Sequence, residues 1–221
     1  VSDKTNLVPF VQGLVECGYE IISTGGTKKA LDNAGIKTIA IDDVTHFPEI
    51  LDGRVKTLHP KVFGGILNRR DNDGDKAQIC QYEIPEIDLV IVDLYPFEDT
   101  VASGASQADI IEKIDIGGIS LIRAAAKNFN DVVIVASKKQ YAPLTEILKA
   151  NDDATTTLEQ RFFFAKEAFA VSSTYDSAIF SYFDAESQSD SRIALDGSRH
   201  LRYGENPHQK AAFYADIAAH D

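Results

Sequence analysis

Between Gly53 and Gly65 the chain places Arg54, Lys56 and Lys61 in thirteen residues with no acid among them, although its formal net charge is −12. Cations gathered beside glycines in an acidic protein point to a local site for a small anion, because glycine lets backbone N–H groups come close to a ligand. Arg54 offers a planar fork of donors, and Lys56 offers a mobile point charge to a phosphate or a developing oxyanion. A second cluster is Ser23-Thr24-Gly25-Gly26-Thr27, where a strand-like run turns into a helical pattern. That turn presents N–H groups and three hydroxyls to an anion. It lacks the spacing of a Walker loop or of a dinucleotide fingerprint. Asp93 and Tyr95 follow a third apolar run, Ser2 and Lys4 stand near the start, and Asp115-Ile116-Gly117-Gly118 precedes the helical pattern that carries Lys127. Taken singly, each has a plain structural explanation: Thr27 and Asp115 as helix caps, Tyr95 as a half-buried ring, Lys127 as a cation at a helix C-terminus.

The elements that position these residues follow from hydrophobic period. Tyr19–Thr24, Lys37–Ile41, Ile87–Leu94 and Val132–Val135 read as strands, and Leu7, Phe10, Val11, Leu14 and Val15 recur at helical spacing. Residues 27–34 read as a short helix stopped by Gly35. Ser106, Ser137 and Thr157 each open a capping-box pattern, the first with Asp109 in place of Glu or Gln. Strands that are continuously apolar, alternating with helices, predict an α/β fold with a doubly wound, mostly parallel sheet, followed by helices from Thr157 to Phe183. Ligands in such folds bind outside the carboxyl ends of the strands, which is where these polar clusters fall. Residues 184–190 read as a linker.

Composition narrows the function classes. With 221 residues, 44% hydrophobic and 25% charged, the chain has the make-up of an ordinary globular protein. Its acidity argues against nucleic acid as a partner. No apolar run approaches the roughly 18–20 residues a membrane helix needs, and no signal peptide is evident. Cys17 and Cys80 are too few for a disulfide framework, read as core thiols, and fit a reducing cytoplasm. No zinc-like spacing or Ser/His/Asp arrangement stands out, so a metal-free site is expected. The chain opens on Val1 rather than Met, and a few preceding residues are expected to be absent.

SDK at Ser2–Lys4, STGGT, FPEILDGRVKTLHPKV, LYPF, IDIGG, RAAAKN and RYGENPHQ occur in this order along the chain. The set closely resembles the bifunctional purine-biosynthesis family that joins AICAR transformylase to IMP cyclohydrolase. The resemblance implies a methylglyoxal-synthase-like cyclohydrolase domain over residues 1–190 and the beginning of a transformylase domain over 191–221. It implies closure of formyl-AICAR to IMP without a metal or redox cofactor. Ser2, Lys4, Ser23, Thr24, Gly25, Gly26, Thr27, Arg54, Thr57, Asp93, Gly117 and Gly118 would line the nucleotide pocket. Lys56 would polarise the formyl oxygen, Asp115 would act as general base, and Tyr95 and Lys127 would assist proton transfer. Arg202, Tyr203 and His208 match a transformylase substrate motif, for which 10-formyltetrahydrofolate would be the donor. The Lys-His pair expected further along that domain has no counterpart here, so formyl transfer by this stretch is not expected. The family also implies a homodimer. Departures from its pattern are Asp93 where Asn is usual, and Phe63, Phe129 and Val171 where His is expected. A regulatory module that senses a phosphorylated metabolite, and a methylglyoxal-synthase-like lyase, are the competing readings.

Overall fold

Leu7, Phe10, Val11 and Leu14 share one face of α1 (Leu7–Glu16), and all four are buried, as their spacing predicts. The computed structural model describes residues 1–151, 153–185, 190, 192, 198–202, 206 and 208–214. From α1 the chain runs through β1 (Ile22–Ser23), α2 (Gly25–Asn33), β2 (Ile39–Ala40) and α3 (Ile41–Thr45). It continues through α4 (Pro60–Leu67), α5 (Asp73–Gln81), β3 (Leu89–Ile91), α6 (Phe97–Ala102) and α7 (Gln107–Glu112). Then come α8 (Gly117–Lys127), β4 (Val133–Val135), α9 (Tyr141–Ala150), α10 (Leu158–Phe183), β5 (Arg199–His200) and β6 (Ala212–Phe213).

Both ladders of the α/β region are parallel. Ile22 lies opposite Ile39, and Leu89 through Ile91 lie opposite Val133 through Val135. The run Val132–Ala136 is buried throughout, as a strand covered on both faces must be. Ile122 and Ala125 of α8, which packs on β4, share its core with Leu144 of α9 and Phe164 and Ala168 of α10, all with almost no exposed surface. Phe10 stacks on Tyr141 with ring centres 4.1 Å apart, which ties α1 to α9. Each expected strand contains a ladder, but the regular pairing is shorter than the apolar run that marks it.

Local signals also translate into bonds. Thr157 Oγ1 accepts from the Gln160 N–H at 3.2 Å, and Gln160 Oε1 accepts from the Thr157 N–H at 2.8 Å, a reciprocal box at the start of α10. Ser137 and Gln140 close a similar box over a 3-10 turn. Ser106 caps α7, but its hydroxyl donates to Asp109 Oδ2 at 2.6 Å, so the acid takes the side chain instead of reaching back to the backbone. Two expectations need correction. Helix α2 begins at Gly25, so Thr24, with extended backbone, precedes it and Thr27 sits in its first turn. Cys80 is exposed, because α5 buries none of its residues; Cys17 is half-buried.

The chain divides into two compact units, Val1–Ser172 and Ser173–Asp221. In the second, Arg199 and His200 pair antiparallel with Phe213 and Ala212. No helix among the described residues is long and apolar enough to cross a membrane.

Candidate functional site

Thr24 is extended and Gly25 has φ +46°, a left-handed conformation that suits glycine. The turn brings the first N–H groups of α2, which have no partner within the helix, to the carboxyl end of β1. Lys4 reaches this turn from the chain start: its Nζ lies 3.9 Å from where a Cβ on Gly26 would stand. Lys56 Nζ reaches it from the 53–57 loop, 4.0 Å from the corresponding point on Gly25. Two ammonium groups therefore flank one helix N-terminus, and the field of the helix adds to theirs for any anion placed there. Ser23 is buried beneath the turn, and the Thr27 hydroxyl donates to the Val1 carbonyl at 3.2 Å. A cavity of about 450 Å³ opens alongside, bordered by Ser23, Thr24 and Gly25, by Lys28 and Lys29, and by the acids Asp32, Asp42 and Glu49.

The 53–57 loop also meets the start of α8. Thr57 Oγ1 lies 3.2 Å from the point a Cβ on Gly117 would occupy. Asp115 folds over the same helix start and accepts from the Gly118 N–H at 2.6 Å. A Cβ on Gly118 would stand 2.6 Å from Asp115 Oδ2, so only glycine leaves room for this carboxylate. Burial pushes the Asp115 carboxyl up from the ordinary Asp value. The N–H groups of Gly118 and Tyr95 and the Lys56 ammonium pull the other way. Asp115 is thus a desolvated carboxylate, held in place by backbone donors and in the field of a lysine, which is the environment of a base.

Asp93 and Tyr95 leave β3 toward the same place. The Asp93 carbonyl accepts from the Ser2 N–H at 3.1 Å, and its Oδ2 accepts from the Asp3 N–H at 2.7 Å. The side chain that stands in place of an expected Asn thus acts as an acceptor and fixes the Ser2–Lys4 loop. Tyr95 is exposed, with Lys113 Nζ 5.6 Å from its ring centre.

Ser2, Lys4, the 23–27 turn, Lys56, Thr57, Asp93, Tyr95, Asp115, Gly117 and Gly118 are thus linked around one rim. Arg54 is turned aside: its guanidinium pairs with Glu112 of α7, Nε to Oε1 at 3.3 Å, and both groups are largely exposed. Lys127 is not brought to this rim. It occupies the last turn of an 11-residue helix whose start holds Asp115, a separation of roughly 15 Å along the axis. There it lines a different cleft with Phe63 and Phe129. Arg202 and His208 are exposed residues of the second unit, and Tyr203 lies outside the described residues. Among the described residues no group of three His, Cys, Asp or Glu is placed to hold a metal ion.

Several participants carried no signal in the sequence. Glu112 partners Arg54, and Glu49 Oε2 lies 3.9 Å from Lys56 Nζ. Asp3 pairs with Lys138 across 135 positions. Nothing but the tertiary structure connects such residues. Asp3 and Glu49 stood inside quoted motifs, but as neighbours of the site residues and not as candidates themselves.

A family model described as MGS-like domain matches residues 6–120, and one described as AICARFT/IMPCHase bienzyme matches residues 125–221. The chain is 62% identical over 219 residues to the bifunctional purine biosynthesis protein PurH of Bacteroides thetaiotaomicron, covering 99% of this chain and 43% of that protein. It is 52% identical over 221 residues to PurH of Limosilactobacillus reuteri, covering 98% of this chain and again 43% of the relative. The chain therefore spans less than half the length of these relatives. Among solved structures, the crystal structure of ForH superposes with a TM-score of 0.71 at 35% identity, over 86% of this chain and 96% of that one.

Proposed function

Because the chain belongs to the MGS-like domain family, we propose that residues 1–190 form an IMP cyclohydrolase that closes formyl-AICAR to IMP with loss of water. The carrying observation is the meeting of Lys4, Lys56, Thr57 and Asp115 with the glycine starts of α2 and α8 around one rim. In this reading Ser2, Lys4 and the N-terminus of α2 hold the nucleotide phosphate, with Ser23, Thr24 and Thr27 adding hydroxyls. Arg54 joins them on leaving Glu112. Gly117 and Gly118 let the base approach the start of α8.

The reaction joins two groups of one molecule, so much of the barrier is removed by holding them in a reactive pose. The carboxamide nitrogen attacks the formyl carbon, and a new N–C bond forms. Asp115 takes the proton from that nitrogen. The formyl oxygen carries the charge that develops, and the Lys56 ammonium stabilises it. Tyr95 relays two protons to this oxygen in turn, first the one that Asp115 took from the carboxamide nitrogen and then the one that the neighbouring ring-side nitrogen gives up. The C–O bond breaks, water leaves, the C=N bond forms and both side chains return to their starting states. No step is assigned to Lys127.

The same reading assigns residues 191–221 to the beginning of an AICAR transformylase domain. Arg202, Tyr203 and His208 would contact substrate there. The whole protein would use 10-formyltetrahydrofolate and act as a homodimer in the cytoplasm. The test is direct: the purified chain, given formyl-AICAR, is expected to yield IMP, followed by ultraviolet absorbance. Asp115→Asn is expected to slow turnover by about 10²–10⁴-fold, the usual worth of a positioned base. Binding without IMP formation would favour a metabolite sensor. Methylglyoxal released from dihydroxyacetone phosphate would favour a lyase.

A further inference from the structure

At the end of α8 remote from Asp115, a cleft of about 640 Å³ lies among α4, α8 and the first turns of α10. Phe63, Phe129, Phe162 and Phe169 supply rings to its wall, and small alanines of α8 and α10 form its floor. Phe162 is 59% and Phe169 42% exposed, so these rings present their surface to whatever enters. Three cations, Arg123, Lys127 and Lys166, line the same cleft, and no acid does. The chain as a whole carries 34 acids against 22 lysines and arginines, so this is a local reversal of charge. The Arg123 guanidinium lies 5.7 Å from the Phe169 ring centre, and its Nη1 is 3.3 Å from Ser172 Oγ. Lys166 Nζ lies 3.3 Å from the Glu167 carboxylate, which is outside the lining.

We infer that this cleft binds a planar aromatic anion: two or three linked or fused rings bearing a carboxylate, sulfonate or phosphate. The volume falls in the range of small-ligand pockets, roughly 300–1,000 Å³. Rings on the ligand stack against the phenylalanines and the Arg123 plane, while the anion meets the ammonium groups. Neither half of the recognition works alone. A wholly apolar occupant would strip water from the cleft's cations and offer no counter-charge to Arg123 and Lys127, Lys166 alone having Glu167 beside it. A small hydrophilic anion would leave the rings in water. A second copy of the chain, docked about a two-fold axis through this face, would set the same three cations against their own likeness. Two of the rings, Phe63 and Phe129, stand where the family resemblance leads one to expect histidine, so the charge of the wall rests on Arg123, Lys127 and Lys166 and not on imidazoles.

The probe is 8-anilinonaphthalene-1-sulfonate, compared with N-phenyl-1-naphthylamine, which has the same rings and no charge. By fluorescence and calorimetry on the 221-residue chain, the sulfonate is expected to bind one saturable site at least tenfold more tightly than the neutral probe. The double variant Arg123→Glu/Lys166→Glu is expected to weaken the sulfonate at least tenfold and the neutral probe less than twofold, with unchanged circular dichroism. Phe162→Ala is expected to weaken both probes. Equal affinity for the two probes, the absence of a saturable site, or full sulfonate binding by the charge-reversed variant would each overturn the proposal. So would light scattering that shows a dimer split by Phe162→Ala, since a second copy would then cover the face.

Discussion

Arg54 shows how one side chain can be withheld from a site that its sequence position assigns it to. Its guanidinium is engaged with Glu112, which raises the Arg54 pKa further and holds the Glu112 carboxyl below its usual range. Both partners are solvent-exposed, so the pair is weak and exchangeable. A phosphate entering beside Lys4 and Lys56 must compete with Glu112 for the same fork of donors. Glu112→Gln keeps the shape and removes the competing charge. In steady-state kinetics with formyl-AICAR, this variant is expected to lower KM severalfold with kcat nearly unchanged, because Arg54 contributes binding shared by ground and transition states. An unchanged KM would mean that Arg54 stays with α7 throughout turnover. Asp115 differs in kind. Its backbone donors and the absence of a side chain at residue 118 fix it before any ligand arrives.

Two helices carry the site and the cleft, and a buried asparagine pair joins them. Asn128, just past the end of α8, donates from Nδ2 to the Ile66 and Asn68 carbonyls, each at 2.9 Å. Asn68 in turn donates to the Gly64 and Gly65 carbonyls at 3.0 and 2.9 Å, closing the end of α4. Asn128→Ala leaves buried carbonyls without donors, and each such group costs about 1–3 kcal/mol. Urea unfolding is expected to show a loss of that size with an unchanged slope; a loss below about 0.5 kcal/mol would show that water replaces the amide. This bridge was invisible in the sequence, where Lys127-Asn128 reads as an ordinary helix end. Helices were legible because period and caps are local: α1 follows its apolar stripe, and α10 starts at the Thr157 box. Strands were legible as apolar runs but not as pairs. Nothing local says that Leu89 will face Val133.

For the molecule as a whole, charge divides along lines that single residues do not reveal. The glycine turns and the cations beside them marked most of the rim in the sequence, because an anion site needs those residue types wherever it is built. The distance from Asp115 to Lys127 was not legible in the same way, since both stand in recognisable motifs and only the length of α8 separates them. The acidic surface is tied down by ion pairs whose effect on stability has a definite sign. Asp3, Asp32, Asp75 and Glu112 are held below the ordinary carboxylate range, chiefly by hydrogen bonds from Lys138, Lys28, Arg69 and Arg54 respectively. For each, the unfolded chain binds more protons than the folded one between the two pKa values, so stability rises with pH there. The contribution is complete above the unfolded value and lost as pH falls through the folded one; for Asp75 that window runs from 3.8 down to about 2. Asp115 acts in the opposite sense, because burial raises its pKa and its ionised form opposes folding as pH rises above 3.8. Four depressed carboxyls outweigh one raised carboxyl at the acid end. At low ionic strength the urea midpoint is therefore expected to fall as pH drops from about 4 to about 2. The fall should be smaller in about 0.5 M salt, which screens exposed pairs. Asp75→Asn should flatten the lowest part of the curve, and Asp115→Asn should instead stabilise the protein at neutral pH. A midpoint that is level or rising toward pH 2 at low salt would show that these pairs do not hold the acidic surface in solution.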